Sequence, residues 1–192
     1  MSKVGIFGGT FDPIHLGHLI TAQSVREIRG LDKIIFIPAF ISPHKSEVKT
    51  SSPEDRLNMI KLAIEGVSFF AHSDIEIEKG GVSYTIDTLR ELKSKYDQME
   101  FIIGYDNIFT FHTWKDPDEI LKLAKVVVLK RRSSHPPPFE DKYVHEAEFV
   151  ETRGIEISAT DIRKRVKNEM PINFLVPPTV MEYIYKHKLY TE

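Results

Sequence analysis

The first forty or so residues constrain the fold more than any other part of the chain. Residues 4–7 (VGIF) form a short apolar run that stops at Gly8-Gly9, the pattern of a buried strand. Downstream, Leu16, Leu19, Ile20, Ala22, Val25 and Ile28 recur at helical spacing, and Gly30 supplies a stop signal. Residues 33–37 (KIIFI) make a second apolar run, closed by Pro38. Strand, helix and strand in this order imply a crossover between parallel strands, and hence a sheet covered by helices.

The alternation continues. Residues 38–52, rich in Pro, Ser, Lys and His, read as a loop. Ser52-Pro53-Glu54-Asp55 then opens a helix: serine caps it, proline suits the first turn, and the acids face the positive end of the dipole. Residues 69–77 read as a strand ending in the Gly80-Gly81 turn, and residues 84–92 as a helix. Residues 101–104 (FIIG) are another buried strand, 117–124 a helix and 126–129 a strand. An exposed loop is expected over 131–143, which includes Pro136-Pro137-Pro138. Residues 148–157 are strand-like, and helices are expected at 160–167 and 178–187. The expected fold class is α/β: a Rossmann-like, doubly wound, mainly parallel sheet with helices on both faces. It forms one domain over residues 1–192, with a small helical C-terminal part at about 158–192.

Composition narrows the function. The 192-residue chain carries 41% apolar and 28% charged residues and a net charge of −2. That balance argues against a broad footprint for nucleic acid, so none is expected as a partner. With no cysteine, disulfides and thiolate zinc sites are excluded. The N-terminus lacks a signal-peptide layout, and no apolar run approaches a membrane span, so a cytoplasmic protein without a membrane partner is expected. A homo-oligomer is left open.

The stretch with most chemistry runs Gly8-Gly9-Thr10-Phe11-Asp12-Pro13-Ile14-His15-Leu16-Gly17-His18. It joins the first strand to the first helix, where open α/β sheets bind ligands. The glycines admit close approach of an anion to the backbone, and the helix N-terminus offers N–H groups and a positive dipole end. His15 and His18, about one turn apart, can face one ligand and donate to phosphate oxygens. A tight turn with capping histidines, or a metal held by the pair, are the alternatives. Neither GxxxxGK[ST] nor GxGxxG occurs, which speaks against a P-loop enzyme and a dinucleotide redox site.

His15-Leu16-Gly17-His18 resembles the H-x-G-H signature of the nucleotidyltransferase superfamily. With the preceding Gly-Gly-Thr-Phe-Asp-Pro, the run is similar to that of the bacterial nicotinate mononucleotide adenylyltransferases. Pro43-His44-Lys45, Ser83-Tyr84-Thr85-Ile86-Asp87-Thr88, Gly104-Tyr105-Asp106 and Ile157-Ser158-Ala159-Thr160-Asp161-Ile162-Arg163 resemble further segments of that family. Two positions depart from its pattern: Tyr105 where a small residue is usual, and Ala159 in place of a second serine.

The resemblance implies adenylyl transfer from ATP to nicotinate mononucleotide, giving deamido-NAD and pyrophosphate. It implies His18, with His15, as the catalytic residues. Gly8, Gly9, Thr10, Phe11, His15 and His18 would bind ATP, together with Gly104, Asp106, Ser158, Thr160 and Arg163. His44, Lys45, Ser83, Tyr84, Thr85, Trp114 and Lys115 would take the mononucleotide, with the Trp114 indole on the pyridine ring. Mg²⁺ would arrive with ATP, with no protein metal site. The rival readings are a superfamily enzyme with another phosphorylated acceptor, and a noncatalytic nucleotide- or RNA-binding module.

Overall fold

The second strand shows how the layers form. In β2 (Lys33–Pro38), successive side chains leave by opposite faces of the sheet, and Ile34, Ile35, Phe36 and Ile37 are all buried. Ile34 and Phe36 join one apolar cluster, while Ile35 and Ile37 join another. A strand buried on both sides needs cover on both sides. The computed structural model, which describes residues 2–43, 50–130 and 141–191, supplies it.

The remaining strands are β1 (Lys3–Gly9), β3 (Phe70–His72), β4 (Gln98–Gly104), β5 (Lys125–Lys130) and β6 (Glu148–Glu151). The helices begin with α1 (Leu16–Arg29), α2 (Pro53–Ile64), α3 (Ile75–Lys79), α4 (Thr85–Leu92) and α5 (Tyr105–Ile108). They continue with α6 (Pro117–Leu123), α7 (Lys142–Glu146), α8 (Ala159–Lys167) and α9 (Pro178–Lys186). A 3₁₀ turn, Phe111–Thr113, precedes α6.

The six strands form one sheet in the order β3-β2-β1-β4-β5-β6, and every described pairing is parallel. This is the doubly wound Rossmann order. On one face α1, α2, α8 and α9 place Ala22, Met59, Ile162 and Ile184 against Phe7, Phe36, Ile102 and Val127. On the other, α3, α4 and α6 place Ile75, Leu89 and Ile120 against Ile6, Ile35, Phe101 and Val128. The C-terminal helices are thus part of a sheet layer. Among the described residues no helix is long and apolar enough to cross a membrane.

Several expected boundaries are corrected. Residues 69–77 are not one strand: β3 stops at His72, and α3 starts at Ile75. The alternation of Ile75 and Ile77 mimics a strand, but the chain coils, with Glu78 N–H donating to the Asp74 carbonyl at 2.8 Å. The strand expected over 148–157 ends at Glu151, which pairs with Lys130 of β5. Toward the other end of the sheet, β4 begins at Gln98 instead of residue 101. Its Glu100 is only 3% exposed but bonds Lys3 Nζ at 2.8 Å and Arg29 Nε at 2.9 Å. Paired this way, a charge is tolerated in a buried strand. The expected loop over 131–143 contains the start of α7, capped by Asp141, which accepts from Val144 N–H at 2.9 Å. Residues 131–140 lie outside the described part.

Candidate active site

The strand order reverses direction between β1 and β4, so the connections leaving these two strands part company. A cleft of about 520 Å³ opens at their carboxyl ends, the place where such sheets bind ligands. Its walls bring together chain segments far apart in sequence. Gly8, Gly9, Thr10, His15 and His18 stand on one side; Ser83, Tyr84, Thr85, Trp114 and Lys115 on another; Gly104 and Asp106 close it. Phe11, Ser158, Thr160 and Arg163 are not among the lining residues, although Ile157, Ile155 and Gly154 are. His44 and Lys45 fall outside the described residues.

The loop between β1 and α1 is held by its own side chains. Phe11 has φ +51°, a left-handed conformation that a bulky residue seldom adopts. Its ring, 3% exposed, meets Phe7 and Phe36 at 5.7 Å and His18 at 5.1 Å. That packing holds the turn. A side chain at Gly9 would meet the Phe11 ring at 3.0 Å, so the ring excludes anything larger there.

The two histidines form a reciprocal cap on α1. His15 is the N-cap: its Nδ1 accepts from the His18 N–H at 3.4 Å, and His18 Nδ1 accepts from the His15 N–H at 3.3 Å. The rings stack, with centroids 3.6 Å apart. A nitrogen that accepts cannot carry the proton, so each neutral imidazole holds its hydrogen on Nε2. The cap therefore prepares two N–H donors at a helix N-terminus, where anions are favoured. The capping alternative is thus the one the structure contains. A Cβ at Gly17 would lie 3.0 Å from His15 Nδ1 and press on the ring, which explains the glycine between the histidines. Among the described residues no group of three or more His, Cys, Asp or Glu side chains could hold a metal ion.

Burial pushes the His15 imidazole down from an ordinary 6.5 to about 4. Between these values the unfolded chain binds a proton that the folded one refuses. His15 therefore contributes stability above about pH 6.5, and this is lost as the pH falls toward 4, by up to about 1.4 kcal/mol per unit. Urea unfolding at pH 7.5 and pH 5 should show a larger loss for the wild type than for His15→Asn. Equal losses would exclude His15 as the source.

Behind the loop sits Arg56 of α2, 1% exposed. Its guanidinium donates to the carbonyls of Thr10 (2.9 Å), Ala39 (2.6 Å), Phe40 (3.1 Å) and Ser51 (3.2 Å). It ties together the segments that leave β1 and β2. Arg163 of α8 donates to the Asp12 carbonyl at 2.7 Å and to Thr160 Oγ1 at 3.2 Å. Ser158 is the N-cap residue of α8 but makes no side-chain cap bond.

At the opposite wall, α4 starts at Thr85 with Tyr84 as a cap residue that gives no side-chain bond. The first N–H groups of a helix have no carbonyl one turn back, and the residues at this helix start, Tyr84 and Thr85, line the cleft. Ser83 does not cap this helix: its Oγ accepts from Phe40 N–H at 2.9 Å. Lys115 reaches Asp87 at 3.1 Å and lies 4.8 Å over the Tyr84 ring. Burial raises the Asp87 carboxyl, but Lys115 and Lys79 outweigh it and hold it below its usual range. Trp114 is set against Phe111 and Phe101, with centroids at 5.2 and 6.0 Å. Tyr105 packs edge-on to Phe109 and Phe149, at 5.2 and 6.4 Å. Asp106 beside it is exposed on the cleft.

Glu76, Arg153 and Arg56 were not legible as site residues from the sequence. Glu76 lines the cleft from α3 and accepts from Thr88 Oγ1 at 2.7 Å. Burial raises its carboxyl above the usual range, against hydrogen bonds from Thr88 and Ser83. Its flanking isoleucines made it read as the polar face of a strand. Arg153 enters the cleft wall because the chain leaves the sheet after Glu151. Arg56 reads as an ordinary polar residue of the helix opened by Ser52, and only the structure shows it buried against four carbonyls.

The family model described as Cytidylyltransferase-like matches residues 6–165. The "Probable nicotinate-nucleotide adenylyltransferase" of Desulfitobacterium hafniense (strain Y51) is 40% identical, over 98% of this chain and 95% of that protein. Its namesake from Hydrogenobaculum sp. (strain Y04AAS1) is also 40% identical, over 98% of both chains. The solved structure of Plasmodium falciparum nicotinic acid mononucleotide adenylyltransferase complexed with NaAD superposes with a TM-score of 0.79, over 100% of this chain and 98% of that one. At 19% identity this last likeness concerns the fold. With the histidine cap at the switch point and full-length similarity of this degree, the chain belongs to the cytidylyltransferase-like family, among the nicotinate-nucleotide adenylyltransferases.

Proposed function

We propose that the protein transfers the adenylyl group of ATP to nicotinate mononucleotide, releasing pyrophosphate and forming deamido-NAD, a step in NAD biosynthesis. The observation that carries this reading is the stacked His15–His18 pair, whose Nδ1 atoms are bound by backbone N–H groups. In the reaction, a 5′-phosphate oxygen of the mononucleotide bonds to the α-phosphorus of ATP. The bond from that phosphorus to the bridging oxygen breaks, and its electron pair leaves with pyrophosphate. No covalent intermediate forms on the protein. Its work is to align the two phosphates and stabilise charge on their oxygens. His18 Nε2–H donates to the α-phosphate and the bridging oxygen, with His15 beside it and the α1 N-terminus behind. Arg163 bonds Asp12 and Thr160 and does not line the cleft; a guanidinium has five N–H groups, and it serves the pyrophosphate end by turning the remaining ones into the cleft. Gly104 and Asp106 take the adenosine side. Mg²⁺ would enter with ATP and would offset the charge of the triphosphate.

Nicotinate and nicotinamide differ by a carboxylate against an amide. A pocket of donors, from the Thr85 hydroxyl and the N–H groups at the start of α4 and near Lys115, satisfies carboxylate oxygens. An amide would turn its NH₂ toward a donor and leave both unpaired, at about 1–3 kcal/mol. Nicotinate mononucleotide should therefore be used at least about tenfold more efficiently, 1.4 kcal/mol being tenfold. The test is pyrophosphate release from ATP with a panel of mononucleotides, with Thr85→Val alongside. Equal kcat/KM for the two pyridine substrates would reject the specificity, and turnover of none would reject the activity.

A further inference from the structure

The C-terminal residues reach the back of the phosphate loop. Asp12 is 3% exposed and is not among the residues lining the cleft. Its carboxylate accepts from the Tyr190 hydroxyl at 2.7 Å, across 178 positions of sequence, and from the Ser51 N–H at 3.3 Å. Two further bonds link the same loop to the C-terminal part. Arg163 donates to the Asp12 carbonyl at 2.7 Å, and Leu16 N–H, at the start of α1, donates to the Leu175 carbonyl at 2.9 Å. The chain after α9 is shaped to make this reach. Lys188 and Tyr190 have φ of +52° and +65°, values that non-glycine residues rarely adopt.

Simple packing of a chain end would need the ring of Tyr190 and not its hydroxyl. Here the hydroxyl makes a short bond to a buried carboxylate three residues before His15. Hydrogen bonds to a charged group are the stronger kind, and an acceptor this buried is costly to leave unsatisfied. Burial, with Asp12 adding to it, raises the Tyr190 hydroxyl far above its ordinary range, so it stays a donor at every working pH.

We propose that Tyr190 is a positioning residue of the active site: by holding the Asp12 carboxylate, its hydroxyl fixes the loop that presents His15 and His18 to phosphate. The consequence for catalysis rests on the adenylyl-transfer reading; the consequence for ATP binding does not. A small displacement of a reacting group lowers rates steeply, up to about 10²-fold per ångström.

The experiment compares Tyr190→Phe with the wild type in the full chain. Calorimetry with ATP and Mg²⁺ should give a Kd raised about tenfold, and steady-state kinetics a kcat lowered at least about tenfold. The mononucleotide KM should stay within about twofold, because the α4 wall is untouched. In an Asp12→Ala background the same substitution should add nothing, since the two residues act as one unit. An ATP Kd within about twofold of wild type overturns the inference. So does an equal loss toward both substrates with a lowered melting temperature, which would mark a merely structural role. Absent turnover by the wild type, with ATP binding still weakened in Tyr190→Phe, rejects the adenylyl-transfer reading and supports the role of Tyr190.

Discussion

Replacing His18 with alanine is expected to lower kcat about 10²–10³-fold, the usual effect of deleting one donor that stabilises developing charge. Two separable losses occur. The first is the Nε2–H donor. The second is the Nδ1 acceptor that receives the His15 N–H at 3.3 Å, together with the ring stacked on His15 at 3.6 Å. Loss of a helix cap costs about 1 kcal/mol, which at this chain length lowers the melting temperature by about 2–4 °C. The rate effect should therefore far exceed the effect on stability. Steady-state kinetics and thermal unfolding of the same preparation separate them. A variant that keeps near wild-type kcat would remove His18 from the chemistry.

Arg56→Met is expected to destabilise the fold by about 3 kcal/mol or more. Methionine replaces the aliphatic stem but leaves the carbonyls of Thr10, Ala39, Phe40 and Ser51 without the donor that now serves all four. Each buried acceptor without a partner costs about 1–3 kcal/mol, and water entering from the cleft recovers part of that. Asp12, which favours the ionised guanidinium against its burial, also loses a neighbouring positive charge. A loss of this size lowers the melting temperature by about 6–12 °C. Lysine cannot substitute, because a point charge does not span several carbonyls as a planar fork does. Urea unfolding measures the effect. A loss below about 1 kcal/mol would mean that water replaces the guanidinium, and that the segments after β1 and β2 do not depend on it.

What could be read without the fold follows local rules. The apolar runs at 4–7, 33–37, 101–104 and 126–129 are long enough and bounded sharply enough to be buried strands. Alternating with amphipathic helices, they imply a doubly wound sheet. His15 and His18 are legible as a pair because one helical turn fixes their distance whatever surrounds them. Elements failed where the deciding contact is distant. Glu100 looks wrong for a buried strand until Lys3 and Arg29 arrive beside it. Residues 75–77 alternate like a strand, yet β2 offers β3 partners only at Ile34, Ile35 and Phe36. Residues 152–157 read on from 148–151 as strand-like, yet β6 stops at Glu151.

The same division holds in the site. Residue types and spacing marked the loop, and the family resemblance marked the helix start, expected at Tyr84 and found at Thr85, and the Gly104–Asp106 turn. They did not reveal that the two histidines cap each other, since that requires the backbone to be in place before a side chain can choose its partner. Nor did they connect Arg56 with Thr10, 46 positions away, or Tyr190 with Asp12, 178 positions away. A hydrogen bond between remote residues leaves no period in a sequence. It exists only once the layers have packed, when burial makes an unpaired carboxylate or carbonyl costly enough to select its partner.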